Sequence, residues 1–306
     1  MAALLLAPFA SLNGALGVPL HATLYPFAGA PTLHAARVSL AYRGLSRRVA
    51  QAEGASSQRG ALLDGAGFLV MAWGGSFLTN YLVGSVPIHL LSPLPFLNYM
   101  SVHLLLGALL ALLPSPNAAV LDTLAAPLDG ATRAHAVMLG VHLAATHSSP
   151  MVRNSLMAQV LLGTLAATGG SQAAGTLSVF SSRGWSFSTP PVLLARSFTD
   201  LLDVFAALLA AVVYGASTGT HPAYASLRAA LNGGKADVLL TPVGSKAAAA
   251  LVIAAVFAYR ALLLHWLPTA PQVKQQATKT KAQLVEAASP ATPAHSTRST
   301  RAKKSA

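Results

Sequence analysis

The sequence contains no cysteine. Disulfide frameworks, zinc-thiolate and iron-sulfur sites and cysteine nucleophiles are thereby excluded together, while the redox compartment is left open. Charge is the second scarcity. Only 9% of the 306 residues are Asp, Glu, Lys or Arg, against about 25% in an ordinary soluble domain, and residues 1–36 carry none of the four. Acid is scarcer than base: eight Asp and Glu stand against twenty Lys and Arg, a formal charge of +12. These shortages exclude a soluble globular domain.

Apolar residues make up 54% of the chain and fall in recurrent long stretches. A helix that crosses the hydrocarbon layer needs about 20 of them. Seven spans are predicted, near residues 25–45, 61–86, 89–113, 117–146, 151–179, 190–215 and 246–267. The N-terminus lacks the positive n-region of a signal peptide, so residues 1–24 read as a lead-in to a membrane domain at 25–267. Residues 268–306 are Ser, Thr, Pro, Ala and Lys with few large apolar side chains, a composition that predicts disorder. Seven of the basic residues and one acid lie in residues 271–306. Beside a membrane such a tail reads as an anchor to anionic lipid rather than as a nucleic-acid arm.

Cationic loops stay in the cytoplasm. The first connection carries Arg43, Arg47, Arg48 and Arg59 and the tail seven cations, so seven spans place the N-terminus outside or in a lumen and the C-terminus in the cytoplasm. The sixth connection, with Arg228, Lys235 and Lys246, counts against this orientation but weighs less than the tail.

An internal repeat is the most informative pattern. Span two reads FLVMAWGGSFLTNYLVG and span five QVLLGTLAATGGSQAAG, so Gly74, Gly75, Ser76 and Gly169, Gly170, Ser171 recur at mid-helix, each in the middle member of a group of three. Three crossings are an odd number, so the second group enters from the opposite face and the repeat is inverted. Glycine-interrupted helices at matching places of inverted halves point to a substrate or ion path, expected here between spans two and five with kinks at Gly74, Gly75, Gly169 and Gly170 opening it. The same glycines equally serve close helix packing.

These residues resemble the trimeric intracellular cation (TRIC) channel family, through most of residues 25–215. TLYPFAGAPTLHAARVSLAYRG is similar to its first helix, with Pro26, Phe27, His34 and Ala35 in place. MAWGGSFLTNYLVGSVPIHLL is similar to its glycine-run second helix and following turn, retaining Gly84 and Pro87. In THSSPMVRNSLMAQVLLGTLAATGG the match is ungapped, and Thr146, His147, Arg153, Asn154, Gly163, Gly169 and Gly170 fall at family positions; Trp185 resembles a loop tryptophan. The resemblance implies a homotrimer with one pore per protomer. It also implies passive flow of monovalent cations, chiefly potassium, in an intracellular membrane such as that of the endoplasmic reticulum or nucleus. The family's fourth helix carries a Lys-Glu-Val motif that holds a phosphoinositide. Here Arg133 alone keeps a basic residue there, with Ala134, His135, Val137 and Gly140 at the other places, so any lipid site rests on Arg133. No other cofactor and no metal are implied.

Ionisable residues within spans suggest a pathway or a buried pair. Asp129 with Arg133, and Arg196 with Asp200, are four apart on one helix face, where they either neutralise each other or line a pore. Asp203 has no such partner on its own helix and, with Arg133, is the candidate for a charge that tunes occupancy or gating; Ser76 and Ser171 are the accompanying pore polar groups. Asp122 and Asp129 share a face near the entrance of the span and suit a vestibule. His135, His142 and His147 read as packed residues or proton sensors. Arg260 is expected to snorkel to the interface with His265 and Trp266. No histidine boxes, HExxH or GxSxG occur, so an enzyme is not expected. The expectation is an all-α membrane protein of seven helices, two inverted three-helix repeats plus a seventh, acting as a potassium channel. A secondary transporter is the alternative, with an intramembrane enzyme behind it.

Overall fold

Backbone groups left bare in hydrocarbon cost several kcal/mol each, and a helix satisfies them within one segment. The apolar runs accordingly fold as helices. The computed structural model describes residues 2–55, 59–113 and 116–267; the basic tail expected at 268–306 lies outside them. By contacts the chain divides into residues 1–262 and a second unit from residue 263, of which 263–267 are described.

Helix α1 (Ala2–Leu16) leads to a hairpin of β1 (Pro19–His21) and β2 (Tyr25–Ala28). Then follow α2 (Gly29–Ala52), α3 (Ala61–Leu82), α4 (Leu94–Leu112), α5 (Ala118–Ala145), a short α6 (Pro150–Arg153), α7 (Leu156–Thr176), α8 (Phe198–Thr218), a short α9 (Ala225–Leu231) and α10 (Pro242–Ala261). The chain is mostly helical. Four helices among the described residues are long and apolar enough to cross a membrane: Ala61–Leu82, Leu94–Leu112, Phe198–Thr218 and Pro242–Trp266. This is the architecture of an all-α membrane protein. Helices α2, α5 and α7 are as long, but their charged or polar residues make them less apolar.

Local chemistry sets where the helices start. The Asn117 side chain accepts the Ala119 and Val120 N–H groups at the head of α5. Ser155 accepts the Ala158 N–H for α7, and Thr241 the Gly244 N–H for α10. Ser197 and Asp200 form a reciprocal capping box on α8. Expected boundaries shift for the same reasons. The first helix begins at Gly29 rather than 25, because residues 25–28 pair with β1. The fifth is broken before Ser155, and the sixth begins only at Phe198, after Pro190 and Pro191 have set a 3-10 turn.

Helix α3 lies against α7, α2 against α4, and α5 against α7, α8 and α10, while α1 covers α10 and part of α5. Two cores result. One is aromatic, built by Tyr42, Phe68, Trp73 and Tyr99. The other is mainly alanine, with Ala134, Ala207, Ala210, Ala249 and Ala250 between α5, α8 and α10, small side chains that let helices approach closely.

Candidate functional site

A cavity of about 420 Å³ lies between these helices. It runs from Arg47, Arg48 and Pro116, at the C-terminal end of α2 and ahead of α5, inward to His34, Gly75 and Gly170 at mid-helix. Six arginines border it, Arg37, Arg43, Arg47, Arg48, Arg133 and Arg260, against three aspartates, Asp122, Asp129 and Asp203. In a chain with eight acids, three at one cavity is a concentration, and the arginines still outnumber them.

The pairing runs between helices. Arg37 on α2 donates through Nε to both oxygens of Asp129, at 3.1 and 3.0 Å, and through Nη2 to Asp122 at 2.6 Å. Arg133 on α5 donates to Asp203 Oδ2 on α8 at 3.2 Å and to the Ala167 carbonyl at 3.1 Å, with its guanidinium 4.8 Å above the Phe257 ring. Arg260 on α10 stands 3.7 Å from Asp203 Oδ1. This corrects the expected pairing along α5: Asp129 and Arg133 each have a hydrogen-bonded partner across a helix interface. Asp203, which has no partner on its own helix, is bracketed by two arginines from neighbouring helices. Arg196 and Asp200 likewise make no side-chain pair: the Asp200 carboxylate accepts the backbone N–H of Arg196 at 2.9 Å and of Ser197 at 3.0 Å, capping α8.

The two Gly-Gly-Ser steps meet at the inner end of the cavity. Helices α3 and α7 continue through them without interruption. A Cβ built on Gly75 would lie 2.5 Å from the Ala166 carbonyl oxygen, one on Gly169 2.8 Å from the Gly75 Cα, and one on Gly170 would overlap the Met71 carbonyl. Only glycine permits this approach. Gly74 faces Ala173 and Gly170 in the same contact.

Of the residues singled out from sequence, Gly75, Gly170, Ser171, Asp129, Arg133 and Asp203 line the cavity. Gly74 and Gly169 belong to the crossing, and Ser76 stands apart, taking a bond from the Asn80 amide. Sequence reasoning missed Arg37, although as the first charge in the chain and inside a predicted span it was a candidate by cost alone. It also read Arg260 as a snorkelling residue. His147 ties the end of α5 to α3 through the Val83 carbonyl at 3.1 Å.

Outside the helical spans, Glu53 clamps the loop that follows α7. It accepts the Ser181 and Ser182 hydroxyls at 2.7 Å each and the Ser182 N–H at 3.1 Å. Hydrogen bonds from the Ser182 hydroxyl, the Ser181 hydroxyl and the Ser182 N–H hold its carboxyl down at about 2. No group of three metal-ligating side chains occurs among the described residues. No protein family, curated protein or solved structure matches the chain.

Proposed function

We propose that the protein is a passive channel for monovalent cations, chiefly potassium, in an intracellular membrane of the endoplasmic reticulum or nucleus. The observation that carries this reading is the ion-paired cavity, walled at its inner end by the Gly75 and Gly170 crossing. Charge inside a helical membrane domain is expensive and marks a pathway by default. The TRIC resemblance in the same helices adds the rest: seven spans, two inverted three-helix groups centred on α3 and α7, and a homotrimer with one pore per protomer. Arg133 is the residue on which a phosphoinositide site in this chain rests.

The N-terminus is placed on the luminal side and the C-terminus in the cytoplasm, so the cavity opens toward the cytoplasm. One objection to that orientation weakens, because Arg228 in the sixth connection is buried and donates to the Ala236 carbonyl at 2.9 Å. It is a structural arginine rather than a lipid-facing charge.

The paired arrangement represents a closed state in this reading. Each aspartate is held by arginine and the two glycine helices are in contact. Opening would part Arg133 from Asp203, leaving a carboxylate to face a cation. A secondary transporter is the second reading, favoured by a cavity that reaches mid-helix from one end and stops there.

Gly44 lines the cavity and nothing lies within 4 Å of where its Cβ would be, so Gly44→Trp should fill the path without forcing helices apart. Potassium flux into liposomes is expected to fall severalfold in this variant while folding is kept. Unchanged flux would refute the placement, and saturable flux coupled to a second ion would favour the transporter.

A further inference from the structure

A second cluster of ionisable groups touches the cavity at one residue. Ser39 and Arg43 on α2, Asp64 on α3 and His103 on α4 meet where the three helices pack. Ser39 is sealed from solvent and His103 is 1% exposed. Nδ1 of His103 lies 2.8 Å from Ser39 Oγ, and Nε2 lies 3.1 Å from Asp64 Oδ2 and 3.2 Å from Arg43 Nη2. The same Nη2 donates to the His103 carbonyl at 2.9 Å and stands 4.0 Å from Asp64. Phe68 stacks on the imidazole at 4.2 Å, and the Tyr42 ring meets it at 6.0 Å. Arg59 completes the surrounding charge, donating to the Tyr42 hydroxyl at 3.1 Å. The set has the residue types of a hydrolase triad, but a serine without access to solvent cannot meet a substrate.

The distances admit two proton counts on one set of heavy atoms. With a neutral imidazole, Nε2–H donates to Asp64 and Nδ1 accepts the Ser39 hydroxyl. With a charged imidazole both nitrogens donate, and the hydroxyl needs only to rotate and present a lone pair to Nδ1. Asp64, in the first turn of α3 and with its side chain 29% exposed, is the member of the cluster that reaches the protein surface. The consequence falls on Arg43. A charged imidazole sets two cations 3.2 Å apart and draws the Asp64 carboxylate away from the guanidinium. Arg43 also lines the cavity, so its head has somewhere to go.

We propose that His103 is a proton-binding switch: proton uptake through Asp64 moves the Arg43 guanidinium into the cavity and makes that cavity more positive. Where the consequence is ion flow, this rests on the channel reading, and acid then lowers cation current. The electrostatic change itself does not depend on conduction.

The chain has no cysteine of its own, and Leu110 lines the cavity, so Leu110→Cys in the full chain reports the local potential. The reaction rates of an anionic and a cationic methanethiosulfonate are compared in solubilised protein; their ratio cancels the pH dependence of the thiolate. From pH 8 to pH 5.5 the anionic-to-cationic ratio should rise roughly tenfold, the scale of one unit charge brought several ångströms nearer. Adding His103→Asn should flatten it. A flat ratio in the parent, a rise that survives His103→Asn and so belongs to another group at the cavity such as His34, Asp122, Asp129 or Asp203, or no labelling at either pH would each overturn the proposal. A pH-dependent ratio in a protein that passes no current would retain the switch and refute the channel.

Discussion

Adding one methyl group to Gly75 tests the packing on which the site depends. A Cβ there would lie 2.5 Å from the Ala166 carbonyl oxygen and 2.8 Å from that of Leu165, both backbone atoms that no rotamer change can move. An ordinary carbon to carbonyl contact is about 3.3 Å, so α3 and α7 must separate by roughly 0.8 Å at their crossing. Overpacking of this kind costs about 1–3 kcal/mol. Alanine also returns about 1 kcal/mol of helix propensity, so the right baseline is Gly14→Ala. Gly14 is within α1 and has nothing within 4 Å of its Cβ position, and so reports propensity alone. At about 2–4 °C per kcal/mol for a domain of this size, Gly75→Ala should melt roughly 2–12 °C below Gly14→Ala. Thermal unfolding in one detergent, followed by tryptophan fluorescence and by loss of the monodisperse peak, measures the difference. Equal melting of the two variants would refute the contact.

Asp203→Asn should destabilise the fold by about 1–3 kcal/mol, because it strands Arg133, whose side chain is only 26% exposed, beside a neutral group. Arg260→Gln should shift stability by less than about 1 kcal/mol, since its side chain is 42% exposed and 3.7 Å from the carboxylate; chemical denaturation that ranks the two the other way contradicts the pairing. Glu53 ionises more readily in the fold than at its ordinary value of 4.5, so its contribution is present above about 4.5 and is lost only as pH falls toward 2. Hydrogen-exchange protection of the Ser182 N–H, after correction for the intrinsic rate, should therefore hold between pH 8 and 5, and Glu53→Gln should lower it at both.

Composition made the membrane class legible, because charge scarcity and apolar length are properties of single segments. The Gly-Gly-Ser steps were legible as matching positions in two helices, open to reading as a path or as close packing; their packing against each other came only from the structure. The pairing of the charges was not legible. Asp129 and Arg133 have helical spacing that suits a local pair, yet it is Arg37, ninety-two positions away, whose Nε donates to both Asp129 oxygens. Sequence separation hides such partners, and only the packing of α2 on α5 reveals them. The His103 cluster escaped for the same reason, as its four members lie on three helices.

The most direct test of the central claim is planar-bilayer recording of the purified protein in asymmetric potassium chloride. Unitary currents that reverse near the potassium potential are expected, with Gly44→Trp reducing them. Currents that reverse near the chloride potential would assign the path to the arginines instead, and silence from folded protein across voltage and calcium would contradict a channel altogether.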